Sequence, residues 1–300
     1  MTLTVLEPGL CTLVVDCGRP YTRSLGVPVG GAADRSALAI GNALVGNPAS
    51  AAALEITLAG PTLEAQAELA CVVYGAPFTL ESDRQTLQAG QTFTLQPGEV
   101  LRIGATAHGM RAYFCVRGGF HEPAVLESQS SLAPLLAGAS LRCSSGWVHH
   151  RFIRHQFRWD QHPTVLAVLD GQQRGWFPAD DITTDEFTIC SASNRMSLRL
   201  RGRPLRLPER ELLSEPVCPG SVQVTRDGQC IILGVDGQTI GGYPKIAQVV
   251  TADLDKLAQL RPEDRIRFRR VSLKEAELLY RRKQGELHEW LTRLRTTLAE

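Results

Sequence analysis

Residues 221–237 read SVQVTRDGQCIILGVDG, in which two strand-length apolar runs flank Asp227-Gly228. That dipeptide is a two-residue hairpin signal, so the stretch predicts two antiparallel strands. Working outward, the same grammar recurs. ACVVYGAPFTL (70–80), QTFTLQPGEVLRIG (91–104), RAYFCVRGG (111–119), TVLAVLDG (164–171), FTICSA (187–192) and MSLRLRG (196–202) are strand-length runs punctuated by glycine and proline. This is not the strand–helix alternation of a doubly wound sheet. The fold class expected is mainly β with few helices.

Three helices are marked. Asp34 caps a segment whose Ala37, Leu38, Ile40, Leu44 and Val45 share a face, ended by Gly46 and Pro48. A short helix is expected over 253–260. The last begins at Ser272, with Glu275 three residues on as a capping box, and carries Leu273, Ala276, Leu279, Leu287, Trp290, Leu294 and Leu298 at helical spacing. Residues 120–162 break the strand rhythm and read as a connector between β-rich halves or as an inserted loop. LQPGEVLRI (95–103) and LRPEDRIRF (260–268) echo each other, both a proline–acidic turn running into an alternating strand.

The chain has 300 residues, 43% of them hydrophobic, enough to bury one large core or two moderate ones. A formal charge of +1 gives no global field for nucleic acid or an anionic membrane. The arginines of 261–283 interleave with acids and read as a solvated helical face. MTLTVLEPGLCTLVVDCGR at the N-terminus lacks a basic region followed by an apolar run, and no segment approaches eighteen apolar residues. The expectation is a soluble, cytoplasmic protein. Eight cysteines occur without a CxxC pair and read as reduced core thiols. Cys143 with His149, His150 and His155 matches no familiar zinc spacing.

Two stretches are richer in glycine and polar residues than a core requires. VVDCGRPYTRSLGVPVGGAADRSALAIGNALVG (14–46) places Asp16 and Arg19 around Gly18, then Gly30-Gly31 ahead of the Asp34 cap, where backbone amides can approach an anion. The plainer alternative is a capped loop with an Asp16–Arg19 ion pair. GVDGQTIGGYPKIA (234–247) surrounds Gly241 and Gly242 with Gln238, Thr239, Tyr243 and Lys245, and could hold a carboxylate or amide, with Lys245 supplying charge to the ligand. The alternative there is a glycine-rich hairpin. Neither stretch is a P-loop, and no nucleophile elbow is present.

The run 16–63 resembles the opening signature of the allophanate hydrolase subunit 2 family, which includes the 5-oxoprolinase C subunit, the Kip antagonist and part of the urea carboxylase carboxyltransferase domain. RAYFCVRGGF (111–120), SNRMSLRLRG (193–202), SEPVCPGSVQV (214–224) and 236–268 extend the resemblance in order over most of the chain. It implies two cyclophilin-like β-barrel subdomains, 1–145 and 160–300 with the terminal helix, joined by a 145–160 connector. It also implies partners, one like the 5-oxoprolinase B subunit and a third protein like the A subunit, and ATP-dependent opening of the 5-oxoproline lactam to glutamate. ATP, with Mg, would be a co-substrate of the complex, with no cofactor bound by this chain. Asp16, Arg19 and Lys245 stand on motif positions as catalytic candidates; Gln238, Thr239, Gly241, Gly242 and Tyr243 do so as substrate-binding candidates. Related readings are a non-catalytic module of the Kip-antagonist kind, and a carboxyltransferase component using biotin carried by another protein. The chain departs from the pattern at Glu127-Ser128-Gln129-Ser130-Ser131, where the family has Gly-Ser-Arg-Ser-Thr. It departs again in the stretch after that one, and at Ser197, Leu198, Cys230 and Gly237.

Overall fold

A computed structural model describes residues 2–153, 163–177, 181–207, 209–210 and 212–296. The chain divides into two compact units: Met1–Arg19 with Asp34–Trp159 and Glu286–Glu300, and Pro20–Ala33 with Asp160–Gly285. Each is thus assembled from segments distant in sequence.

The first unit contains β1 (Thr2–Glu7), β2 (Cys11–Val15), β3 (Ala53–Thr57), β4 (Thr62–Ala65), β5 (Leu69–Gly75), β6 (Phe78–Ser82), β7 (Phe93–Leu95), β8 (Val100–Thr106), β9 (Arg111–Val116) and β10 (Ser140–Arg142). They form two five-stranded sheets, β10-β1-β4-β8-β6 and β2-β3-β9-β5-β7. Leu3, Val5, Leu63 and Leu101 from one sheet meet Leu54, Val73 and Phe114 from the other in a single core. Strand β5, LACVVYG, is buried at every position, which is why it reads as an unbroken apolar run rather than an alternating one. Helix α1 (Arg35–Leu44) begins where expected, the Asp34 carboxylate accepting from the Ala37 amide at 2.9 Å. It lies close on the sheet: a Cβ on Gly41 would come 2.9 Å from Cys115 Sγ. Residues 120–153 belong to this unit, with β10 pairing along β1 and Phe120 bridging to Cys143.

The second unit contains β11 (Thr164–Asp170), β12 (Glu186–Ile189), β13 (Ser197–Arg201), β14 (Glu215–Pro216), β15 (Ser221–Val224), β16 (Cys230–Leu233), β17 (Ile240–Gly241), β18 (Lys245–Val249) and β19 (Arg265–Arg270). Seven of them close a barrel in the order β11-β18-β15-β16-β13-β12-β19, sealed by the parallel pair β11–β19; β14 and β17 pair separately. Leu198, Leu200, Val222, Val224, Ile232 and Phe268 point into the barrel. The Asp227-Gly228 hairpin forms between β15 and β16, but its loop is longer than two residues: Val224 pairs with Cys230, and Thr225 and Gln229 close the turn.

Helix α2 covers Leu254–Leu257, after a single 3-10 turn at Thr251–Asp253. The capping box of α3 (Leu273–Thr296) is half made. Ser272 Oγ accepts the Glu275 amide at 3.2 Å, whereas the Glu275 carboxylate takes the Arg269 guanidinium at 2.5 Å. Ala276 and Leu294 are buried, but Leu273, expected on that face, is 64% exposed. Leu298 lies outside the described residues. Part of the arginine cluster is strand rather than helix: RIRFRR in β19 alternates, turning Ile266 and Phe268 inward and arginines outward. The two echoed turns are built alike. Glu99 and Asp264 each accept, at 2.8 Å, the amide three residues earlier, and the residues before them, Gly98 and Glu263, have φ of 75° and 72°.

Cys71, Cys115, Cys143 and Cys230 are core thiols, whereas Cys17 and Cys218 are exposed. Among the described residues, no three His, Cys, Asp or Glu side chains form a metal-binding group, and no helix is long and apolar enough to cross a membrane. His155 lies outside the described residues.

Candidate functional site

In the first unit, Asp16 follows β2 directly and its carboxylate is buried. It accepts the Ser128 and Ser130 hydroxyls at 2.6 Å each, the Gln129 amide at 2.7 Å and the Gly18 amide at 2.8 Å. Burial by itself would raise its pKa, but these donors, the two hydroxyls foremost, hold the carboxyl below the ordinary aspartate value. Arg19 works on the same turn: Nε donates to Val125 O at 3.1 Å and Nη2 to Ser130 O at 2.7 Å. Asp16 and Arg19 are therefore brought together around residues 125–130. Val125 and Ser128 exchange backbone hydrogen bonds there, and the intervening Leu126 and Glu127 have φ of 51° and 63°. A two-residue turn with both φ positive favours glycine or asparagine. Glu127 occupies the position where the resembled pattern has glycine, so that departure is a strained backbone. Ser128 and Ser130, which match the pattern, are the residues that grip Asp16.

Two amides of the 30–34 loop, those of Gly30 and Asp34, are spent inside the protein. Gly30 N donates to Val235 O at 3.0 Å, and the Asp34 side chain serves as the helix cap. The Asp34 amide donates to the Tyr113 hydroxyl at 2.7 Å, which in turn donates to Glu55 at 2.8 Å.

In the second unit, three distant motifs meet. Arg195 grips Asp236 with two hydrogen bonds, Nε to Oδ2 at 2.6 Å and Nη2 to Oδ1 at 3.0 Å, and Nη2 also donates to Gly31 O at 2.7 Å. This fork fixes the turn from which Gln238 projects. At the neighbouring Gly237, a Cβ would come within 3.0 Å of Gly234 O and Met196 O, so the turn is closely packed where the family has a basic residue.

The 238–245 segment crosses the outer wall of the barrel. Cross-strand register places Arg199 opposite Ile231, Ile231 opposite Gln223, and Gln223 opposite Lys245. Directly opposed residues share a face, so these four form a row outside the core. Gln223 is fully buried there; its Nε2 donates to Tyr243 O at 3.3 Å, while its Oε1 has no hydrogen-bond partner among the described residues. A buried acceptor left unpaired costs about 1–3 kcal/mol, so a donor supplied here would be favoured. Gly241 makes the room: a Cβ there would lie 2.6 Å from Gln238 Nε2 and 3.2 Å from Gln223 Nε2. At Gly242 a Cβ would meet only ordinary contacts, 3.4 Å or more away.

Lys245, read from sequence as a charge free to meet a ligand, is 8% exposed and paired. Its Nζ lies 2.8 Å from Glu215 Oε1 and donates to Pro216 O at 3.2 Å. Gln173 Nε2 donates to the same Glu215 oxygen at 2.7 Å, and Gln173 Oε1 accepts the Lys245 amide at 3.0 Å. Thr239 is nearly buried, and its carbonyl accepts the Val217 amide at 3.0 Å. Gln238 and Tyr243 line an adjacent cavity of about 640 Å³, with Asn194, Ser197, Arg199 and Arg226 among the other walls. Sequence reasoning missed Gln173, Glu215 and Gln223 as members of this group. Only SEPVCPGSVQV, a motif run containing Glu215 and Gln223, could have pointed to the last two.

A two-sheet unit and a seven-stranded barrel carrying these motifs define a class, and the chain belongs to the carboxyltransferase family: the family pattern described as carboxyltransferase domain, subdomain A and B, matches residues 25–270. Among individual proteins, the chain is 35% identical to the 5-oxoprolinase C subunit of Haemophilus influenzae, covering 94% of this chain and 95% of that one. It is 34% identical to the 5-oxoprolinase C subunit of Escherichia coli, with 91% and 93% covered. The crystal structure of Kluyveromyces lactis urea carboxylase superposes with a TM-score of 0.84 at 25% identity, covering 96% of this chain but 29% of that one. A further solved structure, of TM-score 0.82 and 32% identity, is covered over 56% of its length. The chain thus spans nearly all of the two 5-oxoprolinase proteins but only part of these solved structures.

Proposed function

We propose that this chain is the C subunit of a heteromeric, ATP-dependent 5-oxoprolinase, which works with B-like and A-like partner proteins to open the 5-oxoproline lactam to glutamate. The near end-to-end similarity to two proteins named as 5-oxoprolinase C subunits carries this reading. The chemistry of the barrel wall supports it. A lactam presents one N–H donor and one carbonyl acceptor. Gln223 Oε1 is a buried acceptor with no donor among the described residues, and Gln238 Nε2, a donor, reaches the same Gly241 and lines the adjacent cavity with Tyr243. An amide carbonyl is a poor electrophile. Phosphorylation of its oxygen by ATP, with Mg, turns that oxygen into a leaving group, and donors aimed at it stabilise the charge that develops. Lys245, neutralised by Glu215, holds the segment in place, and Asp16 and Arg19 position the 125–130 turn.

The test is reconstitution with the cognate A-like and B-like proteins: co-elution on size exclusion, and glutamate release that requires ATP, 5-oxoproline and this chain. Co-elution without turnover would favour a non-catalytic module of the Kip-antagonist kind. Turnover that instead requires a biotin-bearing protein would favour carboxyl transfer, the reading suggested by the family description and the urea carboxylase likeness.

A further inference from the structure

The 640 Å³ cavity on the barrel wall carries two guanidinium groups, those of Arg199 and Arg226. Arg201, Arg203, Arg265, Arg267, Arg269 and Arg270 each hold a carboxylate within ion-pairing distance. Arg199 and Arg226 are exposed, line the cavity, and make no ion pair among the described residues. Asp227 is the acid of the cavity and feels the charge of Arg199, but its carboxylate accepts the Thr225 hydroxyl within its own turn. The two guanidiniums therefore outnumber the one acid in the cavity walls.

Their placement follows from the strands. Leu198 and Leu200 face the barrel core, so Arg199 between them points outward, in the row that leads through Ile231 to Gln223. Neighbouring strands lie about 4.8 Å apart, so the backbones bearing Arg199 and Gln223 are on the order of 10 Å apart. The cavity, which Arg199 and Ile231 of this row line, is large enough for a small molecule with an anionic end and an amide end. Gln238, Tyr243, Asn194 and Ser197 supply neutral hydrogen-bonding groups in the same walls.

We propose that this cavity binds a small carboxylate-bearing amide, with Arg199, assisted by Arg226, holding the carboxylate and the Gln238–Tyr243 side holding the amide. The inference rests on the lactam reading above and adds to it the residues that select an acidic lactam over a neutral one. A fork of N–H donors suits a carboxylate, and water-exposed arginine forms such pairs without the desolvation cost of a buried charge.

The test is isothermal titration of the full chain with two ligands, 5-oxoproline and 2-pyrrolidinone, the same ring without the carboxylate. Saturable 5-oxoproline binding is expected, with 2-pyrrolidinone at least roughly tenfold weaker, the loss of one charge-assisted contact. Arg199→Met should remove most of the 5-oxoproline preference and leave 2-pyrrolidinone unchanged; Arg226→Met should weaken 5-oxoproline less, and the double variant should bind the two lactams alike. Arg199 is exposed, so an unchanged melting temperature is expected and confirms that the variant is folded. Equal affinity of the wild type for the two lactams, no saturable binding by it, or an unaffected Arg199→Met variant would overturn the assignment. The reconstituted complex separates this from the wider reading. Turnover whose KM for 5-oxoproline ignores Arg199→Met removes the carboxylate clamp alone. An inert complex in which this chain still binds 5-oxoproline through Arg199 removes the activity alone.

Discussion

Replacing Lys245 by methionine tests whether the GGYPK segment is held by the Lys245–Glu215 pair. Methionine keeps most of the side-chain volume but removes the ion pair at 2.8 Å and the hydrogen bond to Pro216 O at 3.2 Å. Breaking a fully buried pair costs about 3–5 kcal/mol, and an exposed one about 0–1. Here the lysine side chain is 10% exposed and the glutamate 26%, which places the pair between those limits. Solvent reaching Glu215 discounts the higher figure to about 2 kcal/mol, a drop of roughly 4–8 °C in the melting of the barrel unit. Glu215→Gln retains the acceptor for Gln173 and removes the charge. The double variant should therefore recover part of the loss, with a coupling above about 0.5 kcal/mol in a double-mutant cycle. A single variant melting within about 1 °C of wild type, or single costs that simply add, would refute the clamp and return Lys245 to the role of a free cation.

Gly241→Ala should lower turnover of the reconstituted complex with little change in melting, because the new methyl presses on Gln238 and Gln223, while Gly242→Ala should be nearly silent in both assays. Glu127→Gly should stabilise the first unit by on the order of 1 kcal/mol in urea unfolding, since glycine removes the cost of a positive φ and gives back some of it as chain entropy. Asp16 has a folded pKa below its ordinary 3.8, so its contribution to stability is complete above that value and lost as pH falls through the folded pKa. Acid unfolding of the first unit should accordingly be less steep below about pH 4 in Asp16→Asn than in wild type.

Much of the architecture was legible because local chemistry carried it. Alternation in RIRFRR and SVQV, the Asp34 cap and the turn residues of LQPGE and LRPED each fix an element without help from tertiary contacts. The echo of those two turns extends to the acid that closes each and to the positive φ before it. What stayed hidden depends on partners distant in sequence. Nothing in 20–33 announces that it joins a unit made mainly of residues beyond 160. The Asp227-Gly228 signal named the hairpin but not its loop length, because Thr225 and Gln229 close the turn one step wider. At the site, Asp16 and Arg19 could be picked out as polar residues beside a glycine, yet their partners Ser128 and Ser130 lie over a hundred residues away. Lys245 read as a free charge because Glu215, thirty residues earlier, carries no local mark of being its counter-ion. Gln223 looked like one more polar residue of an alternating strand, and its orphaned oxygen is visible only once Gly241 and Tyr243 are laid over it.

The central claim is that this chain is a required part of a lactam-opening enzyme, and the most direct measurement is glutamate formed from 5-oxoproline by the full assembly, followed together with ADP. The account predicts glutamate and ADP released in equal amounts by the full assembly, and no glutamate when this chain or ATP is left out. Undiminished glutamate formation by the partner proteins without this chain, or none by the full assembly with ATP and Mg present, would contradict it.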